Sequence, residues 1–295
     1  MELDDILTLE HLIIFAGLAI FAFWLRKTSV GRKALVDSAL RRNNMPPYLP
    51  FIPLFIWFGV VYLISSLTRT LFSDLQDWQS DFLDNLILCF GEIATIVVII
   101  FFANIFFARR LKGFGLDIKK LPKDFFVAFV NLLAVWPIIT AAMILTTYFG
   151  ELLWGREYQM QQHQQLKLIA EHPQLMSRIL IAFVAVIVAP LLEEMLFRGL
   201  FQTVIRSYLQ TLRSLLVGQN TTDIEQTKYR YGTWLAIVIS SVLFTMTHDN
   251  MGHWPALFVL GVCMGYAYEK SGSLLRPIFI HAIFNATSLV ITLRR

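Results

Sequence analysis

Three side-chain clusters at helical spacing hold the chemistry available to this sequence: Glu193-Glu194-x-x-x-Arg198, Phe244-x-x-x-His248 and His281-x-x-x-Asn285. Residues four apart share one face of a helix. Glu194 and Arg198 can therefore pair directly, carboxylate to guanidinium. Glu193 points about 100° away, cannot reach the same guanidinium as easily, and is left free for chemistry. Histidine titrates near neutrality, so His248 can serve as a general base or hold a water. His281 and Asn285 present an imidazole and an amide on one face of an apolar segment, where both need hydrogen-bonding partners.

Each cluster alone also has a plain structural reading. The glutamates and arginine can mark a helix end where a span meets water, His248 can sit at an interface, and His281 with Asn285 can be polar glue between helices. Three unrelated accidents on three helices of one half of the chain explain the pattern less well than one shared site. Cost supports this. From Ile179 to Leu192 the chain carries no charge, and an ionised carboxylate at bilayer depth costs roughly 2.5–3.5 kcal/mol on insertion scales.

The elements that position these residues are membrane helices. Hydrophobic residues make up 56% of the 295 and charged residues 16%, with mean hydropathy +0.60. A water-soluble domain cannot hide so large an apolar surplus, so lipid must cover much of it. A span needs about 20 mostly apolar residues, and eight runs qualify: 9–25, 49–67, 85–107, 126–148, 179–200, 233–248, 254–268 and 276–292. The predicted fold class is an all-α, polytopic transmembrane helical bundle. The last three runs are shorter, interrupted at His248, Pro255 and His281, and are expected inside the bundle.

Charge alternates between the connections. The first carries Arg26, Lys27, Arg32, Lys33, Arg41 and Arg42 against Asp37; the second carries Asp74, Asp77, Asp81 and Asp84 against Arg69; the third carries Arg109, Arg110, Lys112, Lys119, Lys120 and Lys123. The positive-inside rule then places the first and third connections in the cytoplasm and both termini outside, although Arg294-Arg295 runs against it. The basic balance, with a pI near 9.1, fits this topology and anionic lipid better than nucleic acid. Residues 150–178, rich in Gln159, Gln161, Gln162, Gln164 and Gln165, read as an exposed helical excursion. Residues 206–231 read as cytoplasmic, with a break at Gly218-Gln219-Asn220. The expected organisation is a four-span scaffold over 1–150, a polar connection over 151–178 and a four-span core over 179–295. Cys89 and Cys263 both lie in apolar runs and build neither a disulfide framework nor a zinc motif. The acidic N-terminus (Glu2, Asp4, Asp5) does not read as a secretory signal.

The ordered set of the three clusters resembles the CPBP family of intramembrane glutamate proteases, which includes CAAX prenyl endopeptidases of the Rce type and bacteriocin-processing and immunity relatives. The resemblance covers about residues 178–290 and extends to Arg198-Gly199, Ser240-Ser241 and Ser271-Gly272-Ser273-Leu274-Leu275 before Pro277. It implies that Glu193 is the catalytic glutamate, which with His248 activates a water. It further implies that Glu194 and Arg198 shape the site, with Phe244 part of its motif, and that His281 and Asn285 steady the oxyanion and the water. Such donors are what peptide hydrolysis needs where charge develops on the carbonyl oxygen. The chain departs from the family at Gly252, where members often carry a polar residue one turn after the histidine; Asp249, Asn250 and His253 stand nearby. For the clusters to meet, the fifth helix must run to about residue 208, which puts Glu193 near its middle.

The functional expectation is an intramembrane endopeptidase in the cell membrane of a prokaryote. Its partners are a peptide or protein substrate, lipidated or membrane-bound, and the bilayer. No cofactor is expected. Glu193, His248 and His281 could supply a His₂Glu zinc set, but no H-E-x-x-H motif and no nearby cysteine accompany them. Competing expectations are a non-catalytic membrane immunity or scaffold protein, and a proton-coupled transporter whose path would include Glu92.

Overall fold

In the computed structural model the described residues are 3–35, 38, 41–155, 168–169, 174–217 and 223–293. The Gln-rich stretch 159–165, the break at 218–220 and Arg294-Arg295 lie outside them. All eight apolar runs are helical: α1 (Leu3–Lys27), α2 (Phe51–Leu71), α3 (Asp77–Phe106), α4 (Ile118–Trp154), α5 (Leu175–Leu212), α6 (Asp223–Met246), α7 (Trp254–Ser271) and α8 (Leu275–Leu293). Among the described residues no strand forms, and one isolated bridge pairs Asn43 with Phe107.

Among the described residues, five of these helices, α2 to α5 and α8, are long and apolar enough to cross a membrane, and the apolar part of α6, Tyr231–Met246, is shorter. Lipid-like surroundings suit the exterior, where Phe15, Phe23, Phe55, Phe90, Phe101 and Phe126 are exposed. In water such a surface would drive aggregation. The protein is an integral membrane protein.

Helix α4 backs the bundle, packing on α1, α7 and α8, while α5 packs on α3, α6, α7 and α8. Helix α5 is therefore enclosed where most helices are half-bare. Its segment Leu192–Gln202 is buried throughout, in one core with Phe114, Phe244, Leu260 and Tyr268. The two basic connections meet at one end of the bundle, where the Ala108 N–H donates to the Arg42 carbonyl. At the opposite end, Arg69 and Asp84 pair across the acidic connection.

Candidate active site

Helix α5 is not a plain α-helix. Two π-helical stretches, Val184–Val188 and Met195–Gln202, flank the α-helical Ala189–Glu194. Such insertions concentrate at functional sites, and here the sequence explains the first. The Ala189 N–H reaches back five residues to the Val184 carbonyl. The next donor in that pattern belongs to residue 190, and Pro190 has none. Asn285 supplies it, with Nδ2 donating to the Ala185 carbonyl at 2.8 Å. In the second stretch Ser240 Oγ donates to the Phe197 carbonyl at 2.8 Å.

Glu193 and Glu194 straddle the midpoint of α5. Glu193 is 8% exposed, and Glu194 and Arg198 are fully buried. As the four-residue spacing predicts, Arg198 Nη1 donates to Glu194 Oε1 at 2.8 Å. Its Nη2 donates to the Gly261 carbonyl at 3.2 Å. Glu194 Oε1 also lies 3.0 Å from His281 Nδ1. His281 Nε2 faces the other glutamate, 3.9 Å from Glu193 Oε2. One imidazole thus bridges the pair, held by Glu194 and directed at Glu193. Glu193 Oε2 itself has no hydrogen-bond partner.

Phe244 is the hub of the remaining contacts. Its ring lies 4.9 Å from that of His248 and 5.5 Å, edge-on, from that of His281. The Arg198 guanidinium sits 4.5 Å over its face, a geometry that favours the cation. Helix α6 ends at Met246, and Phe244 packs 5.6 Å from Phe197 of α5. The end of α6 is therefore level with the middle of α5, which brings His248 to the depth of the glutamates. His248 Nδ1 is 3.1 Å from the Phe244 carbonyl, so Nδ1 is the donor and Nε2 the basic nitrogen. Trp254 Nε1 donates to the His248 carbonyl at 2.9 Å and fixes the turn. At the departure from the family pattern, the Gly252 N–H donates to Asn250 Oδ1 at 2.9 Å, capping the Met251–His253 turn.

Of the predicted residues, the structure joins Glu193, Glu194, Arg198, Phe244 and His281 in direct contact. It reaches His248 through Phe244 and places Asn285 on the helix backbone. Among the described residues, no three His, Cys, Asp or Glu side chains are arranged to hold a metal ion.

Two features escaped the sequence reading. First, α5 and α7 form a polar ladder. Gln202 Nε2 donates to the Gly265 carbonyl at 3.2 Å and to Glu269 Oε1 at 2.9 Å, and Glu269 pairs with Arg206 and Arg41. A Cβ at Gly261 would stand 3.0 Å from Ser241, and one at Gly265 would stand 2.9 Å from Ile237. Gly261-x-x-x-Gly265 is a small-residue motif for close helix approach, visible in the sequence but unused. Second, Glu92 of α3 is 2% exposed, and its buried Oε2 has no hydrogen-bond partner. Nothing in the spacing tied it to the three clusters.

Residues 175–287 match the family described as Type II CAAX prenyl endopeptidase Rce1-like. A 24.3 kDa protein of Escherichia coli, described as uncharacterised, is 28% identical over 156 residues, which are 52% of this chain and 61% of that protein. No solved structure matches. The matched region takes in α5, α6, α7 and most of α8, the helices that carry the glutamate–histidine cluster, and over that region the chain is similar to the family.

Proposed function

We propose that this protein is an intramembrane endopeptidase in which Glu193 and His248 activate a water for attack on a peptide carbonyl. The observation that carries the reading is the Glu194–His281–Glu193 arrangement inside an apolar bundle. Glu194 accepts from His281 Nδ1 and so sets the tautomer and ring orientation. The 3.9 Å between His281 Nε2 and Glu193 Oε2 is too long for a direct hydrogen bond, and a water there bonds to both.

Glu193 takes a proton from the water, whose oxygen bonds to the carbonyl carbon. The carbonyl oxygen takes up the negative charge as the tetrahedral carbon forms. The C–N bond then breaks and the leaving amine takes the proton from Glu193. Asn285 steadies the site by holding the segment before Pro190. Residues 1–150 serve as a scaffold, and 179–295 form the working core. No cofactor takes part. The Escherichia coli relative supports a prokaryotic cell membrane as the setting.

The test is comparative proteomics of membranes from cells carrying the intact chain, Glu193→Ala or His248→Ala, followed by cleavage assays on the substrate so found. Cleavage is expected to fall at least about 100-fold in both variants at unchanged membrane yield, and to survive chelator. Normal cleavage by either variant refutes the site, and loss on chelation refutes the metal-free mechanism.

A further inference from the structure

From the first half of the chain, outside the matched region, Phe114 reaches the back of the site. It ends the short helix Arg110–Phe114 in the third, basic connection, and its side chain is fully buried. The ring presses on Gly199 of α5, so closely that a Cβ there would collide with its Cζ and Cε2. It also meets Phe107 edge-on at 5.1 Å. The backbone around this wedge is tied to the other half of the chain. Tyr268 Oη of α7 donates to the Phe114 carbonyl at 3.0 Å, and the Leu274 N–H donates to the Gly115 carbonyl at 2.9 Å. Gly115 has φ +107°, and a Cβ on it would stand 2.8 Å from the Leu274 nitrogen. Glycine is the residue that permits this closure.

Gly199 directly follows Arg198 within the π-helical stretch Met195–Gln202. The Arg198 guanidinium donates to Glu194 Oε1 at 2.8 Å and to the Gly261 carbonyl at 3.2 Å, and stands over the Phe244 ring. Glu194 Oε1 in turn lies 3.0 Å from His281 Nδ1. We propose that Phe114 is a positioning residue for the site: its ring, pressed on Gly199, sets where the Arg198 guanidinium stands, and Arg198 sets Glu194 and His281. This rests on the reading of Glu194 and His281 as parts of a peptidase site. It makes the basic connection a working part of that site, since a misplacement of about 1 Å from a change far from the chemistry can cost about 100-fold in rate.

A size swap tests this. Gly199→Ala places a methyl where Cζ and Cε2 of Phe114 stand, and a leucine at 114 lacks both atoms. Nitrogen NMR of the histidine-labelled full chain in nanodiscs reads the site without a substrate, the His281 signal being identified by its loss in His281→Gln. The His281 Nδ1 resonance is expected to shift in Gly199→Ala and in Phe114→Leu, and to return towards its native position in the double variant. Phe114→Leu only opens space, so it keeps the test in hand if Gly199→Ala fails to insert. A resonance that Phe114→Leu leaves unmoved, or a double variant shifted by the sum of the two, overturns the proposal. On a cleaved substrate, kcat should fall about tenfold or more in each single variant with KM unchanged, and recover in the double. Additive losses in kcat, or a change in KM alone, also overturn it. If the native protein cleaves nothing, the peptidase reading fails and the NMR result still decides the role of Phe114.

Discussion

Glu194 has two partners that cannot do without it. Its Oε1 accepts from Arg198 and faces His281 Nδ1, all three groups being buried. Removing one member of a buried ion pair costs about 3–5 kcal/mol, because the remaining charge stays desolvated. Glu194→Ala should therefore lower membrane yield and thermal stability along with cleavage, whereas Glu193→Ala should lower cleavage alone. The two variants differ by one position and a rotation of about 100°, and comparing yield with activity for each separates the roles. A Glu194→Ala protein as stable as the native one would mean that Arg198 finds another acceptor.

At the level of elements, the defect in α5 is matched by a side chain from α8. Pro190 leaves the Ala185 carbonyl without a donor and Asn285 Nδ2 fills the gap. An unsatisfied buried carbonyl costs about 1–3 kcal/mol, so Asn285→Leu should destabilise by about that amount. In a Pro190→Ala background the new N–H can serve Ala185, and the same substitution should cost less. A double-mutant cycle by thermal unfolding is expected to give a coupling of at least about 0.5 kcal/mol. Additive effects would dissociate Asn285 from the proline. The ends of α6 and α7 show the same dependence between elements. Helix α6 stops at Met246, and only because that end is level with the middle of α5 can Phe244 touch Arg198, His248 and His281 together.

Over the whole molecule, the site is one end of a ladder that ties the helices to the basic end of the bundle. Arg206 donates to the Ser38 carbonyl at 2.9 Å, and Arg41 Nη2 donates to the Tyr268 carbonyl at 2.8 Å. Both guanidiniums share Glu269. Glu269→Ala should leave two buried cations without their carboxylate and cost about 3–5 kcal/mol, read as a fall in unfolding temperature. Cleavage per folded molecule should change far less, since Glu269 lies two rungs away from Glu194. An unchanged unfolding temperature would show that the ladder does not hold α5 and α7 together.

The solvent, the helices and the short-range partners are legible in composition and spacing alone. Composition required lipid, apolar runs located all eight helices, and four-residue spacing paired Glu194 with Arg198, because helix periodicity is local and needs no knowledge of the rest of the chain. The motif set also singled out Glu193, His248, His281 and Asn285 as candidates. Depth and assembly come from tertiary packing: that His281 is held by Glu194, that Asn285 meets a carbonyl orphaned by Pro190, and that the end of α6 lies level with the middle of α5. Those facts depend on how far each helix slides past its neighbours. That register is set by packing at Gly261 and Gly265 and by buried polar pairs between distant residues, for which spacing within one helix carries no signal.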